Sequence, residues 1–203
     1  FPIHPNHPAT KPPMVLPTAD QAKLVQDTWA EAKKQLGLPT IGKVFYQTMF
    51  GDFPELPLTL FKGVNMTEQQ AKLMGMLDSA VGLLGDLDTL VPVLQESGVR
   101  HGGYGTEARH YAMVGQSLLK TLAAGLGDKF TPDARSAWGA VYAVMQKVML
   151  DAQDTPEGKR LFAAYQRRNA TMVLPTADQA KLVQDTWAEA KKQLGLDRKS
   201  TRL

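Results

Sequence analysis

The chain has no cysteine among its 203 residues. Disulfides, thiolate–metal sites and cysteine nucleophiles are therefore excluded, and the redox compartment stays undetermined. No apolar run approaches the length of a bilayer span, so no membrane partner is expected. No charged-then-apolar N-terminal segment marks a secretory signal, and a cytoplasmic protein is expected. No stretch alternates with period two for long enough to make a strand. An excess of one charge is missing too. The formal net charge is +3, but residues 1–13 carry one lysine and residues 172–203 carry six basic against four acidic residues. Residues 14–171 hold 16 of each sign. The basic footprint of a nucleic-acid binder is absent, and that partner class is dropped.

What is present is helical periodicity. Residues 1–13 contain five prolines and read as an extended, unfolded leader in which His4 and His7 make a poor metal site. Thr18 with Gln21 forms a capping box before an amphipathic helix carrying Ala22, Val25, Trp29, Ala32 and Leu36 on one face. Gly37 ends it. A second helix runs from about Thr40 to Gly51, and a Pro-interrupted stretch from Asp52 to Phe61 follows. Thr67 is expected to cap a long helix reaching about Leu84, with Gln69, Leu73, Leu77 and Ala80 along one stripe. Helices are then predicted over Leu87–Arg100, Glu107–Gly125 and Thr131 to about Asp151, with a further turn or two across Arg160–Arg167. Short connections between about seven helices define an all-α domain.

The stretch from Arg100 to Leu119 draws attention first. His101 stands where one helix meets Gly102, Gly103 and Gly105, just before a second apolar helix. A helix end leaves carbonyls without intrahelical partners, and one of them can accept the imidazole Nδ1–H. That would fix the tautomer and leave Nε2 as a metal ligand. A solvated histidine favoured by the helix dipole is the plainer reading of the same pattern.

Residues 172–196 repeat residues 14–38 without a difference. Tandem domains drift, so this identity reads as an assembly artefact, with the last seven residues an adapter-like tail. A tandem array cut off after its first helix is the alternative. Either way the copied helix lacks the partners of the original. The resulting organisation is a leader over 1–13, a domain over 14–171, and a duplicated first helix with its tail over 172–203.

Several motifs now fall into one frame: Phe-Tyr-Gln-Thr-Met-Phe at 45–50, Leu60-Phe61, Gln69 with Lys72-Leu73-Met74, Arg100-His101, Tyr111 ten residues later, and Ala-Trp-Gly-Ala-Val-Tyr at 137–142. Over about residues 14–153 the chain resembles a globin, of the bacterial single-domain and flavohaemoglobin-like branch. The resemblance implies the globin fold, a helical sandwich around a haem pocket, with the copied C-terminal helix left over and unpaired.

It also implies roles. Haem b would be the cofactor, with His101 as proximal ligand of its iron and the Ser97 carbonyl as acceptor for Nδ1–H. Phe61 would pack on the haem face, with Phe53 open for that role because Pro54 and Pro57 blur the alignment. Leu73 would wall the distal side, and Tyr111 would stand behind His101. Tyr46 and Gln69 would contact bound O₂, both being hydrogen-bond donors to a partly negative ligand. In flavohaemoglobins the residue matching Tyr111 pairs with a carboxylate that strengthens the histidine's push. Here the matching position is Gln153, a neutral amide, so the push should be weaker.

The expected function is reversible binding of O₂ and other diatomic gases, for oxygen transport or storage. Nitric oxide dioxygenation served by a separate reductase is the enzymatic alternative, and a haem-based gas sensor a further one. Binding without catalysis is the preferred reading. Failing all of these, the chain would be a helical scaffold without cofactor.

Overall fold

The computed structural model describes residues 15–170 and, in the C-terminal copy, positions 178, 181, 184–186, 188 and 189. The 1–13 leader and the last seven residues lie outside the described residues. Seven α-helices run through residues 19–168, with short 3₁₀ turns at Leu56–Leu58, Leu83–Gly85 and Gly127–Lys129. No strand occurs among the described residues, and no described helix is long and apolar enough to cross a membrane.

Local chemistry sets the first two helices. The Thr18–Gln21 capping box opens α1 (Ala19–Leu36) as expected. Gly37, at φ +75, ends it and serves as the N-cap of α2 (Leu38–Asp52), whose first turn holds Pro39. Only a residue tolerant of positive φ makes that turn without strain.

On α1, Val25, Trp29 and Ala32 are spaced by four and three and are buried. Trp29 meets Trp138 edge-on, ring centroids 5.9 Å apart. Both indole N–H groups find acceptors: Trp29 Nε1 donates to Asp78 Oδ1 at 2.7 Å, and Trp138 Nε1 to Thr28 Oγ1 at 2.8 Å. A buried tryptophan without such a partner would lose about 1–3 kcal/mol.

The remaining helices depart from expectation at their ends. Asn65 rather than Thr67 caps α3 (Met66–Gly82), its side-chain oxygen accepting from the Thr67 and Glu68 amides. Thr67 is already inside the helix. Then α4 (Leu87–Gly103) continues two residues past His101 in spite of two glycines. The break falls at Gly105, where φ is +77. Next come α5 (Ala108–Leu126), α6 (Pro132–Gln153) and α7 (Pro156–Arg168). The last is longer than the predicted turn or two. Thr155 caps it by accepting from the Gly158 amide, and Pro156 sits in its first turn.

α1 packs on α6, α2 on α3 and α5, and α4 on α6 and α7. Glycine permits the tightest crossing. A Cβ on Gly98 would lie 2.3 Å from the Met149 carbonyl oxygen, so α4 and α6 touch backbone to backbone. By contrast α3 and α4, neighbours in sequence, barely touch. The described positions of the copied helix are helical and exposed, outside this core.

Candidate functional site

His101 is held from its own helix. Its Nδ1 lies 2.7 Å from the Ser97 carbonyl oxygen, one turn back, and Ser97 is buried. With Nδ1–H donating there, the neutral ring keeps its lone pair on Nε2. Burial holds the imidazole below its usual protonation range, with the Arg100 cation adding in the same direction and the Ser97 bond opposing. The ring is therefore neutral at pH 7.

Two aromatic rings flank it. Tyr104 stands 5.5 Å away by centroid and Tyr111 5.9 Å. Tyr111 is buried, and its hydroxyl donates to Gln153 Oε1 at 3.2 Å. The Gln153 amide donates in turn to the Thr106 carbonyl. Tyr142 donates to the Tyr111 carbonyl at 2.6 Å. Burial raises the Tyr111 pKa, so the phenol stays protonated and works as a donor.

A second cluster forms where α2 crosses α3. Gly42 makes the crossing close: a Cβ there would meet Met74 Cγ at 3.0 Å and Gln70 Cβ at 3.4 Å. One turn further along α2, that approach brings the Tyr46 hydroxyl 3.1 Å from Gln69 Nε2. The amide donates and the phenol oxygen accepts, leaving the phenol its own proton to give elsewhere. Tyr46 is 3 % exposed, and burial lifts its pKa to about 12. Its ring sits in an aromatic box with Phe45, Phe50 and Phe61, at centroid distances of 5.0, 5.5 and 5.6 Å.

The predicted residues thus gather in two groups: Tyr46, Gln69 and Phe61 around the α2–α3 crossing, and His101 with Tyr111 at the end of α4. Leu73, one turn after Gln69, is half-buried against the core. Phe53, the alternative to Phe61, also packs on the core, but it is Phe61 whose ring meets Tyr46 and Phe50. An apolar cavity lined by Leu84, Leu90, Leu94, Val141 and Val148 contains none of these side chains.

Sequence reasoning overlooked Tyr104, the Thr106 carbonyl and the packing of α7 on the turn after His101. The glycines at 102, 103 and 105 carried the missing signal. They read as helix breakers, yet Gly102 and Gly105 are also where another element comes too close for a Cβ.

Comparison with known proteins identifies the family and the fold. A globin family model matches residues 44–149. The flavohemoprotein of Bacillus subtilis (strain 168) is 35% identical over 108 residues, which is 52% of this chain and 27% of that protein. Neuroglobin of Danio rerio is 30% identical over 140 residues, covering 62% of this chain and 86% of its own length. A hexacoordinated heme protein from an anhydrobiotic tardigrade superposes with a TM-score of 0.58 at 17% identity, covering 70% of this chain and 98% of that one. Flavohemoglobin from Malassezia yamatoensis, solved with bound FAD and heme, gives 0.57 at 22% identity, over 72% of this chain and 37% of that one. The chain belongs to the globin family. It spans about a quarter of the length of the flavohemoproteins that it matches.

Proposed function

We propose that the domain over residues 14–171 binds haem b and, through it, reversibly binds O₂. The observation that carries this reading is the 2.7 Å contact from His101 Nδ1 to the Ser97 carbonyl, on a globin scaffold. A neutral imidazole so tethered presents Nε2 as a single, oriented nitrogen donor. A single neutral imidazole fits a metal that arrives already held by its own macrocycle. Half-buried Phe61 and Leu73 offer apolar surface for a flat group to cover. Without cysteine, the chain has no thiol for covalent haem attachment, which favours the b type.

Bound haem would supply an iron centre able to take a diatomic ligand. The chain's own residues would do the rest. His101 would hold the group from one side, its ring aimed by Ser97 and backed by Tyr111. From the other side Tyr46 would donate its proton toward the ligand. Gln69, by donating to the phenol oxygen, would orient that hydroxyl and make it a better donor. A phenol with a pKa of about 12 keeps its proton throughout the neutral range.

Likeness to flavohemoproteins supports a second reading, nitric oxide dioxygenation with electrons from a separate reductase. Gln153 weighs against it. An amide opposite Tyr111 places no negative charge behind His101, so the histidine gains little electron-donating strength.

Absorption spectra of the full chain in the ferric, ferrous and O₂-exposed forms test both readings. A Soret band that shifts reversibly with O₂, without catalytic consumption of nitric oxide and a reductant, is the expected result. Rapid turnover with a reductase would favour the enzyme, and the absence of any Soret band would end both.

A further inference from the structure

The helix α7 begins beyond the residues matched by the globin family model. One face of it, positions 158, 161, 165 and 168, lies on the turn that follows His101. The Gly158 carbonyl oxygen would stand 2.6 Å from a Cβ on Gly102, and Leu161 Cβ 3.7 Å from one on Gly103. The Tyr165 ring would lie 2.1 Å from a Cβ on Gly105. Arg168 Nη2 donates to the Gly103 carbonyl at 3.3 Å.

The turn is bonded in its turn to the histidine. The amides of Tyr104 and Thr106 donate to the His101 carbonyl, at 3.1 and 3.2 Å. Gln153, at the end of α6, donates to the Thr106 carbonyl. Residues 102–106 are thus held by α7 and the end of α6, and the His101 backbone is held by them. The Ser97 contact alone fixes only one ring nitrogen. Where the ring sits depends on where its backbone sits.

We propose that Tyr165 is a positioning residue for His101: its ring, packed into the space left by the missing side chain of Gly105, locks the 102–106 turn and through it the backbone of the histidine. This rests on the reading of His101 as the haem ligand. The hydroxyl plays no part in it. The contact belongs to the ring, so phenylalanine serves and alanine does not.

The test uses the full chain with haem, as wild type, Tyr165→Phe and Tyr165→Ala. Three measurements apply: the iron–histidine stretching band of the ferrous form, the rate of haem loss to an acceptor protein, and amide hydrogen exchange at Tyr104 and Thr106. In Tyr165→Ala the band should broaden or split. Haem loss should quicken tenfold or more, within the roughly 10–100-fold range of second-layer changes at metal sites. Exchange at the two amides should rise above the change seen elsewhere in α4 and α5. Tyr165→Phe should match wild type in all three.

An alanine variant with unchanged band and haem loss overturns the proposal, and so does a phenylalanine variant that behaves like alanine. A uniform rise in exchange across the molecule, with the band intact, reduces Tyr165 to a fold-stabilising role. If Tyr165→Ala does not fold, Arg168→Ala acts on the same turn from an exposed position and should give a smaller effect of the same direction; no effect there is equally fatal. Exchange at Tyr104 and Thr106 needs no haem. A wild type that takes up no haem therefore ends the ligand reading, while the coupling of α7 to the turn is judged separately.

Discussion

The two sides of the candidate pocket are built on different principles. His101 owes its place to backbone: a carbonyl of its own helix, a turn bonded to its own carbonyl, and helices α6 and α7 behind that turn. Tyr46 and Gln69 owe theirs to a single side-chain hydrogen bond across a helix crossing that Gly42 permits. The first side is over-determined and the second is adjustable. On the proposed reading, such a globin would hold its cofactor by architecture and tune its ligand by two exchangeable side chains.

The largest expected effect breaks the over-determined side outright. His101→Ala removes the proposed iron ligand, so the full chain should retain no stable haem and show no Soret band under conditions where wild type does. Circular dichroism should show the helices kept, because His101 is half-buried and outside the hydrophobic core. A variant with the wild-type spectrum would remove His101 from the ligand role.

On the adjustable side the effects should be graded. Tyr46→Phe keeps the ring in its aromatic box and deletes only the donor. A hydrogen bond to a partly charged acceptor is worth about 1.5–3 kcal/mol, so O₂ dissociation should speed up by about an order of magnitude or more. Stopped-flow displacement of O₂ reads this directly. Gln69→Leu should do less. Its amide donates to the phenol oxygen, and a neutral bond of about 0.5–1.5 kcal/mol sets a change of roughly two- to twelvefold. If Gln69→Leu exceeds Tyr46→Phe, the amide rather than the phenol faces the ligand.

How much of this was legible in the sequence follows the same division. The helices, the Thr18 cap and the motif frame could be read because they depend on short-range spacing. So could the Ser97–His101 contact, a four-residue relation within one helix. The Tyr46–Gln69 bond joins residues 23 apart and depends on how closely α2 approaches α3 at Gly42, so residue types alone did not give it. The full length and the contact face of α7 were hidden for a related reason, since that face is defined by glycines beyond its own sequence. The copied segment makes the point with identical letters. Thr28 is buried and accepts from Trp138, whereas its twin Thr186 is exposed; Gln26 and Glu31 are half-buried where Gln184 and Glu189 are exposed. At these three described positions the same residue types are covered in the first copy and exposed in the second.

The smallest expected effect is a pH dependence that should reach one side of the pocket and spare the other. His110 opens α5, and its Nδ1 accepts the Glu107 amide at 2.9 Å, a bond available only to the neutral ring. Burial, and then the Arg109 cation, hold its folded-state pKa below the ordinary value near 6.5. Above about pH 6.5 the ring is neutral folded or unfolded, and its contribution to stability is fully present. As pH falls below that, the unfolded chain takes up the proton first and stability drops. The loss is complete once the folded-state pKa is passed and the Glu107 amide has lost its acceptor. In the haem-free chain His101 is shifted in the same direction and adds the same sign. Tyr46, with a pKa of about 12, does not titrate in this range. Thermal midpoints between pH 8 and 5 should therefore fall toward acid in wild type and fall less in His110→Gln. Over the same range the ratio of O₂ dissociation rates between wild type and Tyr46→Phe should stay constant. A ratio that moved with pH would mean that acid reaches the phenol–amide pair as well, and that the two sides are less independent than their construction implies.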